Sequence, residues 1–157
     1  MGRTGVERAL RKAEPHALLK AAQDTITENF AAIDVDLLMA DYAMTILQPV
    51  YALPYTTEPI SVNSGAPGRA FGSQQPYAEP DRHTSQVRLH LPVSVRGDRL
   101  GVLTVRLPAD RYTPQSGQEL QDIAEILGHA ILVAERDADL YLQARRARAC
   151  LLDGWVS

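Results

Sequence analysis

The sequence predicts an α+β domain: a mostly antiparallel central sheet flanked by N- and C-terminal helices. Three observations carry that reading. Apolar residues recur at helical spacing near the start and again near the end of the chain. Between them, paired segments alternate apolar and polar residues across short breaks, as β-hairpins require. Strands bracketed by helices, with no strict strand-helix alternation, imply antiparallel pairing with the helices gathered on one side.

The chain has 157 residues, 45% of them hydrophobic and 22% charged, which fits one compact domain. We divide it into an N-terminal helical extension over residues 1–14, the main domain over 15–141, and a helix end and tail over 142–157. In the extension, Thr4-Gly5-Val6-Glu7 has the form of a capping box, and Val6, Ala9, Leu10 and Ala13 follow at helical spacing. Pro15 suits the first turn of a second helix, whose apolar face is Leu18, Leu19, Ala22, Ile26 and Phe30.

From Ile33 the period shortens. Val35, Leu37 and Met39 alternate with Asp34, Asp36 and Leu38, and a second β-like run over 44–51 follows the break at Asp41-Tyr42-Ala43. The two runs read as a hairpin. Ala52 to Pro59 reads as a loop and Ile60-Ser61-Val62 as a short strand. Ser64-Gly65-Ala66-Pro67-Gly68-Arg69-Ala70-Phe71 combines a small polar cap, glycines and a proline, and predicts one or two helical turns beside the sheet. It is neither a Walker A loop nor a dinucleotide fingerprint. Gln74 to Ser85, rich in Pro, Gln, Asp and His, predicts a mobile segment.

The strongest local signal follows. Val87, Leu89, Leu91, Val93 and Val95 alternate with Arg88, His90, Pro92, Ser94 and Arg96, the turn Gly97-Asp98 comes next, and Leu100 to Leu107 runs back. This predicts a hairpin with one face buried. Pro92 cannot donate to a ladder, so its position is expected at an unpaired edge or a bulge. Thr113 then caps a long helix with Pro114 in its first turn and Leu120, Ile123, Ala124, Leu127, Ile131 and Ala134 at helical spacing. Ile126, Ala130 and Val133 form a second apolar strip, which predicts a second partner for this helix, namely the same helix of another subunit.

Composition excludes several roles. A single cysteine, Cys150, forbids an intramolecular disulfide and suits a reducing cytoplasm. No apolar run approaches the roughly 20 residues that span a bilayer. A net charge of −3 argues against nucleic-acid binding, which needs a basic surface. The basic cluster Arg145, Arg146 and Arg148 reads as a solvated helix face. His16, His83, His90 and His129 show no spacing that would place two metal ligands on one helical face, so no metal site is expected. Ser94, His90 and Asp98 can be combined into a triad on paper, but one hairpin cannot supply triad geometry without a supporting pocket.

Gly68-Arg69-Ala70-Phe71, then Leu91-Pro92-Val93-Ser94-Val95-Arg96-Gly97-Asp98-Arg99-Leu100-Gly101-Val102-Leu103, in this order of elements, resemble the GAF fold over about Pro15 to Tyr141. Val35-Asp36-Leu37-Leu38-Met39-Ala40-Asp41-Tyr42, Leu47-Gln48-Pro49-Val50, and Ile126-Leu127-Gly128-His129 with Tyr141 and Ala144-Arg145-Arg146-Ala147-Arg148 are further similar to the N-terminal sensor region of actinobacterial SpoIIE-type serine/threonine phosphatases. In that family the last helix continues into a metal-dependent phosphatase domain, whereas this sequence stops at Ser157. The resemblance therefore implies the input half of such a protein and no phosphatase chemistry of its own. The cysteines of methionine sulfoxide-reducing and bilin-binding GAF domains are missing between Pro15 and Tyr141, as is the Asn-Lys-Phe-Asp-Glu signature of cyclic-nucleotide GAF domains, so no cofactor is carried over.

The function expected is a non-catalytic sensor and dimerisation module in signal transduction, binding a small molecule between the sheet and the Gly65 to Phe71 segment and acting on a phosphatase-type or other signalling partner. The candidate ligand-binding residues are Tyr42, Arg69, Phe71 and Tyr77: the arginine for an anion, the aromatics for apolar walls. The candidate dimer interface is Ile126, His129, Ala130 and Val133. The alternative is a ligand-free scaffold for dimerisation or docking, its pocket filled by Phe71, Met39 and Leu103.

Overall fold

The computed structural model describes residues 15–41, 43–49 and 60–134. The segments 1–14 and 135–157 lie outside it, and with them the Thr4 capping box, Cys150 and the arginine cluster.

Helix α1 (Pro15–Phe30) buries the stripe its spacing foretells: Leu18, Leu19, Ala22 and Ile26 are all within the core. On its polar flank, Gln23 Nε2 donates to the Val35 carbonyl at 2.8 Å and ties the helix to the first strand. Strand β1 (Asp34–Ala40) turns into β2 (Ile46–Pro49) through Asp41. The Asp41 carboxylate accepts the amides of Thr45 at 2.7 Å and Ile46 at 3.1 Å and the Thr45 hydroxyl at 2.8 Å, so one side chain closes the reversal. Strand β3 (Ile60–Ser61) adds to β2, and helix α2 (Gly65–Ser73) follows.

Strand β4 (Tyr77–Asp81), β5 (Gln86–Val95) and β6 (Asp98–Pro108) form a meander, giving an antiparallel six-stranded sheet in the order β3-β2-β1-β6-β5-β4. A short 3₁₀ turn, Ala109–Arg111, leads to helix α3, described over residues 114–134. The α3 cap is reciprocal. Thr113 Oγ1 accepts the Ser116 amide at 3.0 Å and Ser116 Oγ accepts the Thr113 amide at 2.8 Å, a capping box with serine in place of the usual glutamate.

The two sheet faces carry different loads. On one, Leu89, Leu91, Val93, Leu103, Val105, Leu107, Val35 and Leu37 meet α1 and the Leu120, Ile123, Ala124, Leu127, Ala130 and Ile131 face of α3. On the other, a smaller cluster of Leu38, Leu47, Ala70, Phe71 and Val102 holds α2. The helices are therefore not all gathered on one side, because α2 takes the face opposite α1 and α3. For the same reason the β5–β6 hairpin is covered on both faces, and His90 and Pro92, which alternate with the main core, are themselves buried.

Two other expectations change. Gln74 to Ser85 is not a featureless segment, since Tyr77–Asp81 pairs with Gln86–His90. Pro80 is tolerated there because β4 is an edge strand with one unpaired rim. The β5–β6 turn centres on Arg96 and Gly97, both at positive φ (51° and 88°), the two-residue form whose twist matches the strands it joins. Pro92 sits as its chemistry demands. The β4 pairing stops at His90, leaving the β5 rim open beyond it, and a register shift follows at Val93/Ser94. Gln121 Nε2 of α3 reaches the Pro92 carbonyl at 3.4 Å on that rim.

Candidate functional site

The face carrying α2 is polar where α2 does not cover it, and strand register arranges the polar side chains in rows. Glu79, Arg88, Arg106 and Asp34 face one another in sequence across β4, β5, β6 and β1. Two residues along, the next row is Tyr77, His90, Thr104 and Asp36. The third is Pro92, Val102 and Leu38, where the smaller apolar cluster begins. Because strand side chains alternate faces with a period of two, all three rows lie on one side of the sheet.

The first row, with Asp36, His90 and Thr104 of the second and Leu38 of the third, joins Ile60 of β3 and Ala66 and Pro67 of α2 to line an open trough of about 440 Å³. One wall is apolar and the floor is charged. Gly68 seats α2 against the wall: a β-carbon there would stand 2.7 Å from the Val62 carbonyl oxygen, so a larger residue would lift the helix. A second, smaller recess of about 360 Å³ shares Glu79, Arg88 and Arg106 and extends to the β4–β5 turn at Arg82 and His83.

His90 is the most constrained group in the trough. It is 2% exposed; Nδ1 lies 3.0 Å from Thr104 Oγ1, Nε2 stands 4.0 Å from Glu79 Oε2, and Nε2 has no hydrogen-bond partner. A buried polar atom left unpartnered costs about 1–3 kcal/mol, so it calls for an explanation. Burial holds the imidazole below the ordinary histidine range; Glu79 pulls the other way and Arg88 adds to the depression. The ring is thus held neutral at neutral pH, with one nitrogen free.

The charged row is incompletely paired. Arg106 Nη1 lies 3.3 Å from Asp34 Oδ2, whereas Arg88 Nη1 is 4.0 Å from Glu79 Oε1. Arg88 and Arg106 stand directly opposite each other, and like charges in that position repel. Asp36 is held above the usual carboxylate range, first by desolvation and then by Asp34, with Arg106 and Arg88 opposing. Among the described residues, no group of three or more His, Cys, Asp or Glu side chains is placed to hold a metal ion.

Of the sequence-derived candidates, none of Arg69, Phe71 and Tyr77 lines this trough; Arg69 and Tyr77 reach it only through His90, which does. Phe71 is packed in the smaller apolar cluster at 3% exposure. Tyr77 stacks on the His90 ring, with centroids 6.4 Å apart and planes 19° apart, and the Arg69 guanidinium sits 4.7 Å over the Tyr77 ring. Arg69, Tyr77 and His90 thus form a column running from α2 down to the trough floor. Tyr42 lies outside the described residues. Met39 and Leu103 belong to the opposite face, so they do not fill the trough. On α3, Ala130 is committed to the main core and Ile126 packs partly against it, whereas His129 and Val133 are exposed.

Sequence reasoning passed over Asp34, Asp36, Glu79, Arg88, Thr104 and Arg106. Glu79 lies in a stretch whose composition reads as loop, and the only signal of the others is that each is a polar residue within a strand; which of these meet depends on the strand order. No family model matches the sequence, and no curated protein does either.

Solved structures do match. The free methionine-R-sulfoxide reductase of Neisseria meningitidis, solved with its substrate, superposes with a TM-score of 0.70 at 17% identity, covering 85% of this chain and 88% of that one. The GAF domain of a phosphoenolpyruvate-protein phosphotransferase from Coxiella burnetii gives a TM-score of 0.73 at 15% identity, covering 87% and 94%. The second GAF domain of DevS from Mycobacterium smegmatis gives 0.64 at 17% identity, covering 81% and 99%. The chain has the GAF fold.

Proposed function

We propose that this GAF-fold chain is a regulatory module that binds a small polar molecule in the trough between the sheet and α2 and performs no catalysis itself. One observation carries the reading: a trough of about 440 Å³ lined by charged strand residues, two facing arginines among them, above a buried histidine whose Nε2 has no partner. A filled, purely structural face would have apolar side chains at those positions. Two of the similar structures are GAF domains of a phosphotransferase and of DevS, which agrees with a module that serves a larger signalling system. The reductase similarity does not bring its chemistry here, because Cys150 is the sole cysteine and thiol-based reduction of a sulfoxide needs a resolving partner.

Ligand occupancy would act on α2 through the Arg69–Tyr77–His90 column, because a ligand that touches His90 changes the packing on which the column rests. Pairing through the exposed His129 and Val133 strip of α3 would give a homodimer, and a phosphatase-type protein is the output partner we favour. No helix among the described residues is long and apolar enough to cross a membrane, and we place the module in the cytoplasm.

The test is a native mass spectrum of the purified protein followed by a denaturing one on the same sample. A dimer with an additional small mass that disappears on denaturation is expected. A dimer without that mass, together with unchanged trough resonances in the presence of a cell extract's small-molecule fraction, would replace this reading with a ligand-free scaffold, which the packed Phe71 cluster favours.

A further inference from the structure

One ring nitrogen of His90 has its hydrogen bonding unfinished, and the carboxylate that would finish it stands just out of reach. The ring is 2% exposed, Nδ1 is engaged with Thr104 Oγ1 at 3.0 Å, and Nε2 has no partner. Glu79, on the edge strand β4, is poised midway between two groups: Oε2 is 4.0 Å from His90 Nε2 and Oε1 is 4.0 Å from Arg88 Nη1. A charge-assisted hydrogen bond needs about 2.8 Å, so the carboxylate is bonded to neither. Its side chain is 46% exposed, which leaves it room to turn toward either one.

A single proton decides between the two. When Nδ1–H donates to Thr104, Nε2 of the neutral ring is a bare acceptor facing a second acceptor, and no bond forms. In the other tautomer Nε2–H still faces Glu79 from 4.0 Å, beyond bonding distance. Once protonated, the ring donates from both nitrogens, and a buried charge must be paired. Glu79 is the acceptor within reach. Of the other charged groups on this face, Arg88 of β5 repels the imidazolium and Arg106 of β6 is held by Asp34 of β1 at 3.3 Å. Asp36 of β1 lies across Thr104 in the same row, and Asp81 of β4 already accepts the His83 amide at 2.9 Å. Arg69 of α2 bears on the ring through Tyr77, while α1 and α3 pack the opposite face of the sheet.

We infer that His90 is an acid-sensing latch: a proton taken from solvent onto the ring draws Glu79 away from Arg88, and the resulting imidazolium displaces Arg69 from Tyr77 and loosens α2. No ligand in the trough is required. Tyr77 stacks on His90 with centroids 6.4 Å apart, and the Arg69 guanidinium sits 4.7 Å over the same Tyr77 ring. With His90 charged, two cations bear on one π system, and Arg69, exposed on α2, is the one that water can take. Burial, with Arg88 adding to it and Glu79 opposing, keeps the ring neutral until the pH is below the ordinary 6.5. The latch is therefore set at neutral pH and released by mild acid.

Imidazole nitrogen NMR of the full chain from about pH 8 to about pH 5 tests this, with His90→Gln identifying the His90 signals. His90 is expected to titrate in one step below 6.5, and the Tyr77 and Arg69 amides to shift with the same midpoint. Amide exchange at Ala70 and Phe71 is expected to lose protection about two- to fivefold across that step, the size of one exposed cation–π contact. Glu79→Gln is expected to move the midpoint to lower pH and Arg88→Gln to higher pH, with the Arg69 shift following each. His129, on the far side of the sheet, keeps its midpoint in both variants, and retained dispersion of the main-core resonances shows that each is folded. A His90 that stays neutral until the chain unfolds, a midpoint indifferent to Glu79→Gln, or a titration that leaves Arg69 unmoved would each overturn the latch. The ligand reading of the trough stands or falls separately, on the additional mass in the native spectrum.

Discussion

Single side chains in this protein are tuned by their immediate surroundings, and three of them predict distinct pH windows. His90 has a folded pKa below the ordinary value of 6.5, because burial disfavours the charged ring and Arg88 adds to that, against Glu79. As pH falls, the unfolded chain takes up the proton first, so the stability that rests on neutral His90 is complete above about 6.5 and declines below it. The Tm of His90→Gln is therefore expected to fall less than that of the parent as pH drops from about 7 to about 5.5, a comparison that scanning calorimetry makes directly. Asp41 works in a lower window. Hydrogen bonds from the Ile46 amide, the Thr45 hydroxyl and the Thr45 amide depress its pKa, so its contribution is present above the ordinary value of 3.8 and is lost as pH falls through the folded value. Asp36 has the opposite sign: its raised pKa marks a carboxylate whose charge costs stability at neutral pH and whose protonation relieves that cost. Asp36→Asn is expected to raise Tm at neutral pH, and an unchanged or lower Tm would show that the charge is already compensated.

At the level of elements, caps and close approaches decide where helices and strands begin and how near they come. The Thr113–Ser116 exchange opens α3, and Thr113→Ala is expected to cost about 1 kcal/mol by chemical denaturation. Gly128 lets α3 lie close on β5: a β-carbon there would stand 3.0 Å from Val93 Cγ1 and 3.2 Å from Val95 Cγ2. Gly128→Leu must push the helix off the sheet and is expected to cost about 1–3 kcal/mol despite leucine's better helix propensity. α2 depends on Phe71, whose ring fills the smaller cluster, so Phe71→Ala is expected to cost about 3–5 kcal/mol if the cluster does not collapse. If the cost is near zero, α2 is not anchored to the sheet and the column from Arg69 to His90 has no lever arm.

The whole molecule places its main core on one side of the sheet and its polar trough on the other, so the helix proposed to pair and the site proposed to bind lie on opposite faces. Val133, 44% exposed on α3, is the position to test for pairing. Val133→Glu is expected to convert a dimer to a monomer in analytical ultracentrifugation at constant pH while leaving the amide resonances of the trough strands in place, since the trough is built from other elements. By itself the sequence determined the fold class, the main core and the α3 cap, whereas the polar cap expected at Ser64 makes no side-chain hydrogen bond to α2. Those features follow from local periodicity: Leu18, Leu19, Ala22 and Ile26 share a stripe, Leu89, Leu91 and Val93 share a face, and Thr113 precedes Pro114 in the chain. It also marked the Pro92 edge, because a missing amide hydrogen is a property of the residue. The β4 strand was hidden by a composition that reads as loop and becomes a strand only when β5 supplies its ladder. Only the tertiary structure decided the trough. Residues 34, 36, 79, 88, 90, 104 and 106 come from four strands, and strand order and register are long-range choices with no local signature, so their meeting on one face could not be read from any segment alone.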